Sequence, residues 1–220
     1  MKQVTITIDS REIRAPEGEM LLWVALENGI YIPNLCALGD RELPHASCRL
    51  CFVEVEGVPR PVTSCTLPVT EGMEVKTRTP RVDRLVKTAF ELLLSDHRLG
   101  CARCPARGAC ELQKIARERG LKLKRDRFPF LDREGNVDES TGVFGFDTSR
   151  CVLCGRCTWI DRHVAGVGAL GFSRRGMERR VTTFENGSLA DSPCTRCGLC
   201  VEACPVGALY FLKQDGENST

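Results

Sequence analysis

The cysteines constrain this chain more than any other feature. Fourteen occur in 220 residues, and most are separated by only two or three positions. The apolar run from Met20 to Leu26 is too short to cross a membrane. The first residues alternate like a β-strand and lack the apolar block of a signal peptide. We therefore expect a cytoplasmic protein in a reducing compartment, whose closely spaced cysteines are metal ligands rather than disulfides.

The most specific pattern is a C-x2-C-x2-C-x3-C-P run near the C-terminus, which is typical of proteins with two 4Fe–4S clusters. In that arrangement the fourth cysteine of each run ligates the cluster of the other run. The run is Cys194, Cys197, Cys200 and Cys204, and a second run begins with Cys151, Cys154 and Cys157. One predicted cluster therefore takes Cys151, Cys154, Cys157 and Cys204. The other takes Cys194, Cys197, Cys200 and the residue at position 161, which is an aspartate.

Asp161 has three interpretations. In the first, the Asp161 carboxylate ligates iron as a harder donor than thiolate. In the second, Asp161 is not a ligand and the iron position stays empty, so that a 3Fe–4S cluster forms. In the third, the nearby His163 ligates iron instead. Our hypothesis is an Asp161-ligated cluster.

Three further cysteines, Cys101, Cys104 and Cys110, follow His97. They need a fourth ligand, and no spare cysteine lies nearby. Imidazole is an accepted iron ligand, and a site with imidazole in place of thiolate is less anionic and has a higher potential. The alternative is that His97 is only a polar helix end. We predict a 4Fe–4S site of His97, Cys101, Cys104 and Cys110.

The remaining cysteines are Cys36, Cys48, Cys51 and Cys65. A 2Fe–2S cluster needs four thiolates in two pairs, one pair for each iron. Zinc also accepts four cysteines but is usually held by two close pairs, whereas only one close pair occurs here. We predict a 2Fe–2S site.

Periodicity predicts an α+β chain. Alternating apolar residues indicate strands near 4–8, 12–15, 52–55 and 73–77, and helical patterns cover residues 19–27 and a segment starting at Pro80, with Thr79 as its cap. A shorter helix should follow Cys110 and end at Gly120, and residues 181–184 should form a hairpin strand. The predicted domains are 1–79 and 80–120, then a linker at 121–145, a third domain at 146–214 and a tail at 215–220.

The cysteine segments resemble a known family. Pro33 to Cys36, Cys48 to Val55 and Cys65 are similar to the plant-type-like 2Fe–2S domain of the large iron–sulfur subunit of respiratory complex I. The His97 segment with Glu111-Leu112-Gln113 is similar to that family's histidine-ligated site, and the last two runs resemble its two-cluster module, also seen in iron–iron hydrogenases. The chain is most similar to the short diaphorase iron–sulfur subunit of NAD-linked nickel–iron hydrogenases and electron-bifurcating relatives. The resemblance implies an N-terminal β-grasp domain, a small helical domain with one histidine and three cysteine ligands, and a C-terminal bacterial ferredoxin-like domain.

It also implies a non-catalytic electron relay between a flavin- and NAD(H)-binding subunit and hydrogenase subunits or another redox module. The alternative is a subunit of a complex I-like NADH dehydrogenase or of an NAD-linked formate dehydrogenase. We expect no flavin or NAD on this chain, because Gly166 to Gly171 satisfies G-x-G-x-x-G only by chance, without a long preceding strand. Two other classes of protein are possible. One is a redox enzyme with an open iron site at Asp161, and the other is a zinc-binding module that binds nucleic acid through the basic segment 98–127. A net charge of +2 argues against the second of these.

Overall fold

The computed structural model describes residues 2–41, 43–131 and 135–213. Its contacts divide the chain into two compact units, Met1–Leu92 and Leu93–Thr220. The described helices are α1 (Leu21–Glu27), α2 (Pro80–Asp96), α3 (Glu111–Arg119), α4 (Arg156–His163) and α5 (Leu199–Glu202). The described strands are β1 (Gln3–Ile8), β2 (Arg11–Pro16), β3 (Phe52–Val55), β4 (Val62–Thr63), β5 (Glu74–Lys76), β6 (Val137–Asp138), β7 (Phe144–Asp147), β8 (Gly171–Ser173), β9 (Arg180–Thr182) and β10 (Leu209–Phe211).

The first unit is built on a five-stranded sheet in the order β2-β1-β5-β3-β4. β1 pairs antiparallel with β2 and parallel with β5. Val4, Ile6 and Ile8 alternate along β1 and are buried, because every second side chain of a strand faces the same side of its sheet. Leu21 and Leu22 of α1 belong to the same core. The strands around this core carry the loops that contain the first four cysteines.

Helix α2 begins where the sequence predicts. The Thr79 hydroxyl accepts a hydrogen bond from the Val82 amide at 3.1 Å, as an N-cap residue does. Val82, Val86 and Phe90 lie buried along one face, in agreement with the helical period of the apolar residues. The helix ends at Asp96, directly before His97.

The second unit combines short helices with two small sheets. One sheet has the order β10-β7-β6, and β8 pairs with β9 in a hairpin. Helix α3 ends at Gly120, whose φ of 64° places it in the left-handed region that suits a helix C-terminus. Strand β6 and the start of β7 fall inside the segment expected to be a linker. β7 pairs with β6 on one side and with β10 on the other, and Phe144 and Phe146 of β7 are buried.

The expectation of a mixed fold of helices and small sheets is confirmed, whereas the division into three domains stays a prediction. The predicted tail at 215–220 lies outside the described residues. No helix among the described residues has the length and apolarity needed to cross a membrane.

Candidate iron–sulfur sites

The structure brings the first four cysteines together as two pairs. The Sγ atoms of Cys36 and Cys48 lie 3.4 Å apart, and the thiols of Cys51 and Cys65 also contact each other. Cys51 directly precedes β3, and Cys65 lies in a short 3-10 helix directly after β4, so the pairing of these strands positions both residues. All four cysteines are buried.

One cysteine of each pair is readily ionised. The contact with the Cys48 thiol lowers the pKa of Cys36 to about 5, despite the opposing effect of burial. The contact with Cys65 likewise lowers the pKa of Cys51 to about 7. The partner thiols have raised pKa values for the converse reason. The four sulfurs thus form two pairs, and one member of each pair readily forms a thiolate. This arrangement fits a 2Fe–2S cluster, in which each iron is bound by one pair of cysteines.

The second set surrounds one cavity in the C-terminal unit. His97, Cys101, Cys104 and Cys110 all line it. His97 is 5% exposed, and burial lowers the pKa of its imidazole, which favours the neutral form that binds metal. Its Nδ1 lies 2.7 Å from the carbonyl oxygen of Arg150. When Nδ1–H donates to that carbonyl, Nε2 keeps a lone pair for iron.

Two contacts join the residues around this cavity to the segment that follows Cys204. The Glu111 amide, next to Cys110, donates to the Pro205 carbonyl at 2.9 Å. Gly207 lies so close to Cys104 that a Cβ added to it would stand 2.5 Å from the Cys104 Sγ. A glycine is required there because any side chain would collide with a predicted ligand.

The third set lines a second, apolar cavity. Cys151, Cys154, Cys157 and Cys204 all face it, together with Phe146 and Leu209. Burial raises the pKa values of Cys154 and Cys157. The sulfurs come from a loop, from α4 and from the segment after α5, as the predicted exchange of fourth ligands requires.

The fourth set adopts the same local conformation as the third. Leu153 and Arg196 have φ values of 54° and 60°, Gly155 and Gly198 have 78° and 80°, and a short helix follows each glycine. The Leu153 and Arg196 amides each donate to the Sγ of the first cysteine of their run. In this internal repeat Asp161 occupies the position that Cys204 occupies in the other run.

Asp161 is buried beside Cys200. Burial raises the pKa of Cys200 to about 12, and the nearby charges of Cys194 and Asp161 add to the increase. Burial also raises the pKa of Asp161 itself, against the lowering effect of the backbone amides from which its carboxyl group accepts hydrogen bonds. His163, the alternative ligand, is exposed and stacks on Trp159, with ring centroids 5.2 Å apart.

The sequence interpretation missed the loop that holds Asp161. The Leu170 amide donates to Asp161 Oδ2 at 2.8 Å, and the Ala169 amide also binds the carboxyl group. The Val167 amide donates to the Asp161 carbonyl at 2.9 Å. Gly166 and Gly168 have φ values of 69° and 75°, which turn these amides inward. The G-x-G-x-x-G pattern is thus a carboxylate-binding turn, and its glycines were the available signal.

Among the described residues, no three His, Cys, Asp or Glu side chains meet around a point where one metal ion would sit. The first three sets of predicted ligands instead form pairs or line cavities, and both arrangements suit the larger spacing of iron–sulfur clusters.

Comparison with protein-family models covers most of the chain. Residues 1–80 match a 2Fe–2S iron–sulfur cluster binding domain. Residues 87–125 match the iron–sulfur binding region of NADH-ubiquinone oxidoreductase G, and residues 143–210 match the ferredoxin-like domain of NADH-quinone oxidoreductase subunit 3. A solved NAD+-reducing [NiFe]-hydrogenase, in the H2-reduced state, has a chain that superposes with a TM-score of 0.85 at 32% identity, covering 99% of this chain and 90% of that one.

The chain belongs to the iron–sulfur electron-transfer subunits of NAD-linked hydrogenases and complex I-like enzymes.

Two curated relatives are named as subunits of different enzymes, a hydrogenase and an NADH-quinone oxidoreductase. NADP-reducing hydrogenase subunit HndD of Solidesulfovibrio fructosivorans is 39% identical over 95% of this chain and 36% of its own length. The NADH-quinone oxidoreductase G 2 subunit of Rhizobium meliloti is 38% identical over 94% of this chain and 24% of its own length. The chain therefore spans about a quarter to about a third of the length of these curated relatives. The resemblance predicted from the sequence is confirmed, as are the 2Fe–2S and 4Fe–4S binding regions.

Proposed function

We propose that this iron–sulfur subunit relays electrons through one 2Fe–2S cluster and three 4Fe–4S-type clusters, between a flavin- and NAD(H)-binding subunit and a hydrogenase module. The observation that carries the proposal is the grouping of sixteen predicted ligands into four separate sites within one chain. The clusters would supply reversible one-electron chemistry. The polypeptide would fix their separations, exclude water and set each potential through ligand type and hydrogen bonds.

The proposed ligand sets follow the four sites. Cys36 with Cys48 and Cys51 with Cys65 would each hold one iron of the 2Fe–2S cluster, as their pairing supports. The 4Fe–4S sets are His97, Cys101, Cys104 and Cys110; Cys151, Cys154, Cys157 and Cys204; and Cys194, Cys197, Cys200 and Asp161.

Asp161 is the proposed fourth ligand of the last set. Asp161 is favoured over His163 because it occupies the position in the internal repeat that is equivalent to Cys204 and because it lies near Cys200. His163 instead stacks on Trp159. The amides of the 166–170 loop would fix the carboxyl group so that one oxygen is available to iron. A 3Fe–4S cluster without Asp161 is the competing assignment.

The finer architecture proposed is a β-grasp domain at 1–79, a domain with one histidine and three cysteine ligands at 80–120 and a two-cluster ferredoxin-like domain at 146–214. A cytoplasmic location is proposed from the use of cysteine as free thiol throughout the chain.

A second candidate is the same relay role within a complex I-like NADH dehydrogenase or a formate dehydrogenase. The Rhizobium meliloti relative, named as part of an NADH-quinone oxidoreductase, supports it at 38% identity. The ligand sets of this chain would be the same in either assembly.

The relay role predicts that the purified chain alone will neither oxidise NADH nor take up hydrogen, because no flavin or nickel site is proposed on it. Isolation of the affinity-tagged chain from its host should yield a complex that does reduce viologen dyes with NADH. Mass spectrometry of the co-purifying subunits separates the assemblies: nickel-site cysteines identify a hydrogenase, and a molybdopterin protein identifies a formate dehydrogenase. Turnover by the isolated chain would contradict the relay role.

A further inference from the structure

We infer that Arg150 is a positioning residue that also sets the potential of the cluster proposed at His97. The inference rests on the proposed function, because it assigns a role to a residue beside one of the proposed clusters. Arg150 is not one of the sixteen predicted ligands, yet its carbonyl contacts His97 and its side-chain charge acts on the imidazole.

The main chain of Arg150 orients the imidazole. Its carbonyl oxygen lies 2.7 Å from His97 Nδ1, and the neighbouring Ser149 carbonyl accepts a hydrogen bond from the Arg98 amide at 2.8 Å. Two successive carbonyls thus hold the segment after α2. A hydrogen bond donated by Nδ1–H to the Arg150 carbonyl selects the tautomer in which Nε2 carries no proton, and it raises the basicity of Nε2.

The side chain of Arg150 brings a positive charge to the same place. Arg150 lies on the wall of the cavity that His97, Cys101, Cys104 and Cys110 line. Its Nε binds Asp147 Oδ2 at 2.8 Å, and the two side chains are only 21% and 12% exposed. Asp147 does not line that cavity. The charge of Arg150 acts on the His97 imidazole, and its effect is larger than the opposing effect of the Asp147 charge.

One donor of the guanidinium group has no acceptor. Nη1 is buried and makes no hydrogen bond to any described residue. A buried, unpaired donor is costly, and a sulfide or thiolate of a cluster would accept its hydrogen bond. This orphaned donor also supports the fit of a cluster to the cavity.

These features act together on the reduction step. Reduction adds one electron and no proton, so the net charge of the cluster becomes more negative by one. A positive charge and an N–H donor stabilise that more negative form and raise the potential. Arg98 and Arg107 also line the cavity, but both are exposed, so water screens their charges.

An EPR-monitored redox titration of the full chain, purified with its clusters, tests the inference. The His97-site signal is assigned by its change in the His97→Cys variant. We expect Arg150→Gln to lower the midpoint potential of this signal more than that of any other cluster, and Arg150→Lys to restore most of the loss. The matched control is Arg107→Gln, which removes an exposed arginine from the same cavity and should leave every potential unchanged.

Equal potentials in Arg150→Gln and Arg107→Gln would overturn the inference, as would loss of the cluster in both Arg150 variants, which would indicate a purely structural role. Absence of an assignable His97-site signal in the wild-type protein would instead contradict the proposed function. The two failures are therefore distinguishable.

Discussion

Replacement of Gly207 by alanine is expected to abolish the cluster at His97. The added Cβ would lie 2.5 Å from Cys104 Sγ and 3.4 Å from both the Cβ and the backbone nitrogen of Ala106. Gly207 is buried, so the backbone has little room to retreat. Overpacking of this kind costs about 1–3 kcal/mol, and the movement that relieves it displaces a ligand sulfur. We therefore expect the loss of about four iron atoms per chain, the content of one 4Fe–4S cluster.

Iron analysis and EPR spectra of the Gly207→Ala protein measure this loss, with Gly171→Ala as the matched control. Gly171 lies in β8 of the same unit, and an added Cβ would meet no atom within 4 Å. The control should keep all its iron. A Gly207→Ala protein with a full His97-site signal would contradict the assignment of Cys104 as a ligand at this cavity.

The second large effect is expected at Asp161. Asp161→Asn removes the negative oxygen donor but keeps the size of the side chain, so the cluster of Cys194, Cys197 and Cys200 should lose about one iron and become 3Fe–4S. Asp161→Cys should give a conventional 4Fe–4S cluster with a lower potential, because thiolate donates more electron density than carboxylate. EPR and Mössbauer spectra should change in that one cluster only.

Asp191→Asn is the control for charge removal, because Asp191 is an exposed aspartate of the same unit that binds nearby Ser188. Its spectra should match the wild type. If the wild-type protein already contains a 3Fe–4S cluster that Asp161→Asn leaves unchanged, Asp161 is not a ligand and the carboxyl group serves only to hold the 166–170 loop.

The sequence predicts how the cysteines group into sets because the spacing of close ligands is a local property. The two C-x2-C-x2-C runs adopt the same tight turn, as the matched φ values of Leu153 and Arg196 show. The start of α2 was also predictable, since Thr79 carries the capping hydroxyl and the apolar period follows it.

Other features depend on contacts distant along the chain. The hydrogen-bond partner of His97 is the main-chain carbonyl of Arg150, which cannot be predicted from the type of residue at that position. Strand β6 is only two residues long and pairs with β7 inside a polar stretch, so periodicity predicted a linker instead. The amides that hold Asp161 come from a glycine pattern better known for nucleotide binding. In each case the missing information is a backbone partner rather than a residue type.

The central claim is that this iron–sulfur subunit holds one 2Fe–2S and three 4Fe–4S-type clusters. Mössbauer spectroscopy of the 57Fe-enriched protein, combined with iron and zinc analysis of the same sample, tests it most directly. About 14 iron atoms per chain are expected, or about 13 where one cluster is 3Fe–4S. One 2Fe–2S component, one distinctive iron subsite from Asp161 and no stoichiometric zinc are also expected. A zinc-containing, iron-free protein, or a spectrum without the 2Fe–2S component, would contradict it.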